Sequence, residues 1–153
     1  MTLYESASDR RHEQEIITTL ARRIPNSMFV KLNMTWRVDY AIYQGHKIYA
    51  FVECKRRLVN SKEYPTIILS GTKYIEGKKF ATTFNVPFIF AVQFNDCLSY
   101  VDLTEDDYDL VIAGGKQRNL ASDIDLCIAV PSNKFKVFKA HPSRFARGAV
   151  PLG

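Results

Sequence analysis

The chain has 153 residues, of which 46% are hydrophobic and 24% charged, so it can form a packed domain and is not a disordered or low-complexity chain. Its 21 Lys and Arg residues exceed its 16 Asp and Glu residues by five. Residues 1–79 and 133–153 are basic and residues 80–132 are acidic, a distribution that suits a polyanionic partner. No stretch approaches the ~20 apolar residues of a membrane helix, and the N-terminus lacks a signal-peptide apolar region. The sequence therefore predicts a soluble, cytoplasmic protein that does not contact membranes.

Two segments have apolar residues at helical spacing. The first begins at a capping residue, Ser8 or Asp9, and runs to about Ile24, after which Pro25 ends it. The second covers residues 71–84 and follows Ser70, which can act as its cap. A glycine in the middle of this second helix weakens the prediction.

Short stretches rich in aromatic and β-branched residues predict strands. They are residues 28–33, 36–43, 47–55, 87–94, 97–103, 125–130 and 135–138. The turn glycine between the second and third stretches predicts a β-hairpin. Residues 56–66 and 104–122 are predicted loops, and residues 141–153 are a predicted disordered basic tail after a single domain, residues 1–140. This order predicts a mixed α/β fold with an α-β-β-β-α-β core and extra short C-terminal strands.

The predicted hairpin carries two acids and a lysine. Because alternate residues of a strand share a face, Glu53 and Lys55 point to the same side of the sheet. Asp39 joins them only when the numbers of paired residues sum to an even value. A three-residue loop, 44–46 or 45–47, gives this register, whereas a two-residue turn gives it only together with a bulge.

Two carboxylates beside an amine suit a divalent-metal site. Mg²⁺ prefers hard oxygen ligands, usually one or two carboxylates together with water and substrate phosphate. Such an ion neutralises phosphoryl oxygens and activates a water molecule, which Lys55 can position or deprotonate. The alternative is that Glu53 and Lys55 belong to an ordinary solvated strand face.

The first predicted helix places an acid on its packing side. Glu13 lies on the same stripe as Ile17 and Leu20, where an unpaired carboxylate is unfavourable. One interpretation is that Glu13 reaches the metal site as a third acid or as a ligand of a bound water. The other is that it is a first-turn glutamate favoured by the helix dipole and paired with Arg10 or Arg11.

In this order of elements, Asp39 followed by Glu53, Cys54 and Lys55 resembles the motif of the PD-(D/E)xK nuclease superfamily, which has the restriction-endonuclease-like fold. The proline that usually precedes the aspartate is Val38 here. The resemblance implies that Asp39 and Glu53 bind Mg²⁺ or Mn²⁺ and that the Cys54 carbonyl adds a ligand. It also implies that Lys55 is the catalytic lysine.

A narrower likeness is to small stand-alone superfamily members of bacteriophage genomes, which would act in the host cytoplasm. It covers roughly residues 10–130, and the superfamily's first-helix acid falls on Glu13. Beyond the motif, the chain shares with these proteins Arg57, Tyr64-Pro65-Thr66, Leu69-Ser70, Lys73 and Pro87-Phe88-Ile89.

The predicted function is metal-dependent endonucleolytic hydrolysis of DNA, and cutting both strands would suit a homodimer. Arg56 and Arg57 adjoin the proposed site and are predicted phosphate contacts, together with Lys73 and Lys78 of the second helix. These two lysines can instead belong to a solvated helix face. The alternative functions are a nucleic-acid-binding protein on the same fold without turnover, and an inhibitor of a host protein.

Overall fold

The computed structural model describes residues 7–114 and 124–140. Its helices are α1 (Ala7–Arg22) and α2 (Gly71–Phe84). Its strands are β1 (Met28–Lys31), β2 (Tyr40–Gln44), β3 (Lys47–Arg56), β4 (Thr66–Ser70), β5 (Phe88–Gln93), β6 (Cys97–Asp102), β7 (Val111–Gly114), β8 (Ile124–Pro131) and β9 (Lys136–Ala140). Neither helix is long and apolar enough to cross a membrane, as judged over the described ranges. The predicted tail lies outside these ranges, so the division between residues 1–140 and 141–153 remains a prediction.

The strands form two sheets. The larger has the order β1-β2-β3-β5-β6-β9, in which β3 and β5 are parallel and the other neighbours are antiparallel. The smaller has the antiparallel order β4-β8-β7. This is the predicted mixed α/β architecture with the predicted core order. Strands β4 and β7 are additions: β4 runs from the end of the predicted loop 56–66 to the predicted cap Ser70, and β7 lies within the predicted loop 104–122.

The central strand β3 contributes side chains to two hydrophobic clusters, one on each face of the larger sheet. Val52 and Cys54 pack on the α1 side, whereas Phe51 packs on the α2 side. Because side chains alternate along a strand, Glu53 faces the same side as Phe51. The acid is therefore presented on the α2 face of a strand that has neighbours on both edges.

The first helix differs from its prediction at both ends. It begins at Ala7, so Ser8 and Asp9 lie in its first turn and do not precede it. It ends at Arg22, and the next turn is tighter, with the N–H of Ile24 bonded to the Ala21 carbonyl. Shorter three-residue bonds of this kind commonly close a helix.

The second helix has the predicted bounds, and its glycine has a packing role. A Cβ atom at Gly77 would lie 2.3 Å from the ring of Phe88, which is completely buried. The glycine therefore lets α2 lie directly on β5, and this contact outweighs its low helix propensity. Asn85, with a φ of 55°, ends the helix in the left-handed conformation.

The second predicted strand begins four residues later than expected, at Tyr40. A 3₁₀ turn, Met34–Trp36, occupies the preceding segment. The Asn33 side chain caps this turn by accepting a hydrogen bond from the N–H of Thr35, and Arg37 ends it with a φ of 63°. Asp39 consequently stands just before β2, outside its regular pairing.

The β2–β3 turn has two residues where a three-residue loop was the simplest expectation. Gly45 and His46 connect Gln44 to its partner Lys47, and Gly45 has a φ of +60° that favours glycine. A β-bulge then changes the register: Ile42 pairs with Ala50, while its successor Tyr43 pairs with Ile48. The extra residue of β3 between these pairs is Tyr49.

The bulge gives the even-sum register that the site requires. Tyr40 pairs with Val52, so the same register places Asp39 opposite Glu53. If Tyr49 were paired regularly and not bulged, the same two-residue turn would place Asp39 opposite Val52, on the other face of the sheet. The two-residue turn and the bulge together therefore place Asp39 on the same face as Glu53, as the three-residue loop was expected to do.

Candidate active site

A cavity of about 370 Å³ opens between α1, the end of β3 and the start of α2. Most of the residues around it are polar or charged. It is lined by Asp9, His12, Glu13, Ile16, Asp39, Glu53, Cys54, Lys55, Arg56, Arg57 and Lys73. The structure thus brings both hairpin acids, Lys55 and the first-helix acid to one cavity.

Asp39 has one fixed oxygen and one that faces cations. Its Oδ2 accepts a hydrogen bond of 2.9 Å from the backbone N–H of Cys54. Its Oδ1 lies 3.7 Å from Lys31 Nζ and 3.8 Å from Lys73 Nζ. The Cys54 N–H therefore fixes the carboxylate across the hairpin.

Glu53 is a buried acid, with a relative exposure of 1%. Burial, followed by the nearby Asp39 carboxylate, raises its pKa from about 4.5 to about 8, although the Lys73 ammonium opposes this rise. Glu53 Oε2 lies 2.5 Å from Lys73 Nζ. Its Oε1 is also buried and has no hydrogen-bond partner within the described structure. A buried carboxylate with one unsatisfied oxygen has unused capacity for a cation.

The two cavity lysines differ in their environment. Burial favours the neutral form of Lys73, but Glu53 and Asp39 more than compensate, so the pKa of Lys73 lies above its usual value. For Lys55 the balance is opposite: partial desolvation, then the nearby Arg57 and Lys73 charges, lower its pKa. Lys55 remains exposed to solvent. Its amine is therefore the more readily deprotonated of the two.

Glu13 lines the cavity and is connected to Asp39 by a lysine that the sequence did not point to. Its Oε1 lies 2.7 Å from Lys31 Nζ, which is also 3.7 Å from Asp39 Oδ1. Lys31 ends β1 and pairs with Tyr40, the residue after Asp39. This contact follows from the pairing of β1 with β2, so only knowledge of that register would have identified Lys31 from the sequence.

The ligand set suits a cation that keeps bound water. No group of three or more His, Cys, Asp or Glu side chains within residues 7–114 and 124–140 forms a metal-binding cluster. The protein instead offers two carboxylates, Asp39 and Glu53. Such a partial oxygen set is what Mg²⁺ uses together with waters and substrate phosphate, whereas structural zinc takes four protein ligands. The unpartnered Oε1 of Glu53 fits the same kind of ion.

The predicted phosphate contacts fall into two groups. Arg56, Arg57 and Lys73 line the cavity, and the Arg57 guanidinium donates a hydrogen bond of 2.9 Å to the Ile68 carbonyl of β4. Lys78 is not part of the cavity lining. Its Nζ contacts the Tyr74 hydroxyl, the Asp106 carbonyl and the Asp107 carboxylate, so it connects α2 to the segment after β6.

Comparisons with known proteins identify the family and the fold. The model of a family described as "Phage putative PDDEXK endonuclease" matches residues 2–138. Among solved structures, the fold is similar to Archaeoglobus fulgidus Hjc, a Holliday junction resolvase, with a TM-score of 0.50, 13% identity and coverage of 78% of this chain and 85% of that chain. No curated protein sequence matches the chain. By its match over almost the whole sequence, the chain belongs to this family of phage PD-(D/E)xK endonucleases, and it has the restriction-endonuclease-like fold.

Proposed function

We propose that the protein is a metal-dependent endonuclease that hydrolyses DNA phosphodiester bonds, with Mg²⁺ or Mn²⁺ bound by Asp39 and Glu53. The observation that carries this proposal is the convergence of both carboxylates on one cavity, where Glu53 Oε1 is buried and without a partner. Membership of an endonuclease family supports the reaction class. The oxygen donors support a hard divalent cation as the cofactor.

Three neighbouring residues, Asp39, Cys54 and Lys55, would have separate roles in this hydrolysis. A divalent cation, when bound, would neutralise phosphoryl oxygens and lower the pKa of a bound water. Asp39 holds one oxygen on the Cys54 N–H and presents the other to the cavity, and the Cys54 carbonyl is a proposed further ligand. The Lys55 amine, whose pKa is lowered, accepts a proton from the attacking water or positions it.

Substrate binding is assigned to the basic side of the cavity. Arg56 is exposed at the end of β3, where a DNA backbone reaching the carboxylates has to pass. Arg57 adds positive charge while its guanidinium stays bonded to β4. Glu13 acts through Lys31, which it holds beside Asp39. Lys78 is engaged elsewhere and is left out of the proposed DNA contacts.

A cleavage panel tests the proposal. Linear duplex, nicked circle, single strand and four-way junction are each incubated with Mg²⁺, Mn²⁺ or EDTA. We expect cleavage only with a divalent ion, and a loss of about 100-fold or more for Asp39→Asn and for Lys55→Ala, because each removes a group that acts on the reacting atoms. Circular dichroism checks that both variants fold.

Lys134→Ala is the matched control, since Lys134 pairs with Asp106 and does not line the cavity. It should cleave like the wild type. Undiminished cleavage by both site variants would refute the proposed roles. Salt-sensitive DNA binding without cleavage in either ion would instead support the non-catalytic alternative.

A further inference from the structure

Lys73 already supplies the site with a cation. It lies in the first turn of α2, and its side chain reaches across the cavity to the hairpin acids. Its Nζ lies 2.5 Å from Glu53 Oε2 and 3.8 Å from Asp39 Oδ1, so one ammonium forms ion pairs with both candidate metal ligands. The contact spans 20 residues of sequence between Glu53 and Lys73, and it connects α2 to β3.

The reason for this contact is electrostatic. Asp39 Oδ1 and Glu53 Oε2 lie 3.8 Å and 2.5 Å from the same Lys73 Nζ, so the two carboxylates are close together, and Glu53 is almost completely buried. Two like charges in such a place repel each other strongly, so a positive charge between them has a larger effect than one on the surface. Lys73 provides that charge from the chain itself.

A divalent ion ligated by the same oxygens needs the same space. Mg²⁺ binds carboxylate oxygens at about 2.0–2.1 Å, closer than the ammonium now stands to Glu53. An ion at this distance from Glu53 and Asp39 would lie next to Nζ, and two cations in contact repel each other. The two modes of neutralising the carboxylates therefore compete.

We propose that Lys73 is the internal counterion of the Asp39–Glu53 pair and that a divalent cation binds by displacing it. This inference rests on the proposed metal site. The displaced ammonium stays on the cavity wall near Lys55 and Arg56. Ion binding thereby frees a positive group for a substrate phosphate at the point where phosphate is to be bound.

The first test measures the affinity for Mn²⁺, from the electron paramagnetic resonance signal of the free ion. Lys73→Met removes the competing charge, and we expect it to bind Mn²⁺ about tenfold more tightly than the wild type, since a charge at this distance changes a carboxylate's affinity for a proton by a similar factor or more. Lys73→Arg keeps the charge and should stay near the wild type. Lys79→Met is the control, because Lys79 is on the same helix, exposed and paired with Glu76.

The outcomes distinguish the proposed counterion role of Lys73 from the proposed metal site on which it rests. Mn²⁺ binding by the wild type with equal or weaker binding by Lys73→Met would overturn the counterion role and leave the metal site intact. In that case Lys73 would keep its contact with Glu53 while the ion is bound, and the two cations would not compete. No Mn²⁺ binding by the wild type or any variant would overturn the metal site itself.

A second test uses the wild type alone, because Lys73→Met leaves a buried acid uncompensated and can fail to fold. The rate of amine labelling at Lys73 is measured by mass spectrometry with EDTA and with Mg²⁺, and Lys79 serves as the internal reference. We expect labelling of Lys73 to become several-fold faster with Mg²⁺ as the amine leaves its ion pairs. An unchanged or slower rate would contradict displacement.

Discussion

Glu53 is an acid whose buried environment disfavours its charged form. It is buried on a central strand, its pKa is raised to about 8 by burial and by Asp39, and Lys73 compensates only in part. In the folded protein without metal, the carboxyl therefore keeps its proton at pH values where an unfolded chain has lost it. A bound cation would remove this conflict, because it favours the ionised form.

The conflict predicts a specific pH dependence of the free energy of unfolding. A carboxyl with a raised folded pKa contributes stability that is fully present below its ordinary pKa of about 4.5 and is lost as the pH rises through about 8. In EDTA, the Tm of the wild type relative to Glu53→Gln should therefore fall between about pH 5 and about pH 8.5. We expect a fall of at least about 3 °C by thermal unfolding, which is roughly 1 kcal/mol in a domain of this size.

Glu53→Gln is the reference because it keeps the shape of the side chain and cannot ionise. Subtracting its Tm at each pH removes the effect of all other titrating groups that do not interact with residue 53. A constant difference across the range would mean that Glu53 titrates as an ordinary carboxyl. Adding Mg²⁺ at the higher pH should raise the Tm of the wild type more than that of the variant.

The β2–β3 hairpin is the element on which the site depends, and its bulge sets the register. Deleting Tyr49 removes the extra residue and closes the bulge, so the two-residue turn and the pairs Tyr43–Ile48 and Ile42–Ala50 can all persist. We expect the deletion to retain Mn²⁺ binding and most of the free energy of unfolding, because Asp39 stays opposite Glu53 and no core residue changes face. Chemical denaturation and Mn²⁺ titration measure the two effects.

Tyr49→Thr is the matched control for the deletion. The side chain of Tyr49 is 45% exposed, and threonine keeps both the extra residue and the strand preference. It should retain Mn²⁺ binding and most of the stability. Loss of Mn²⁺ binding by the deletion variant alone would show that the register is not sufficient and that the local shape of the bulge also positions Asp39.

Local patterns predicted the elements that depend on near neighbours and missed those that depend on distant ones. The alternation of apolar and polar residues on β3 was sufficient to place Glu53 and Lys55 on one face of the strand. The bounds of α2 followed from the residues at its ends, Ser70 before it and Asn85 after it. The short strand β4 was missed because its partner β8 lies some 60 residues away. The contacts of Lys31 and Lys73 were hidden for the same reason, since each joins residues from separate elements.

At the scale of the whole molecule, several basic residues from the first half of the chain lie at the cavity. Arg56 directly follows the proposed site residues on β3 and is exposed, whereas the Arg57 side chain is hydrogen-bonded to the backbone of β4. If Arg56 contacts a phosphate, its removal releases one fewer counterion on binding. For duplex DNA in EDTA, Arg56→Ala should therefore reduce the slope of log affinity against log salt by about 0.9.

Fluorescence anisotropy over a range of salt concentrations measures this slope. Lys134→Ala carries the same change of charge but is paired with Asp106 away from the cavity, so it should leave the slope near the wild-type value. Equal slopes for all three proteins would place Arg56 outside the DNA interface. A uniform loss of affinity over unrelated sequences is expected, because phosphate contacts carry no sequence information.

The bond from the Arg57 guanidinium to the Ile68 carbonyl fastens the smaller sheet to the end of β3. None of the described residues of that sheet lines the cavity, yet this hydrogen bond holds the sheet beside it. Its strands β7 and β8 carry exposed residues such as Ile112 and Leu126. Substitutions at these exposed positions can therefore change the outer surface of the smaller sheet without altering any residue that lines the cavity.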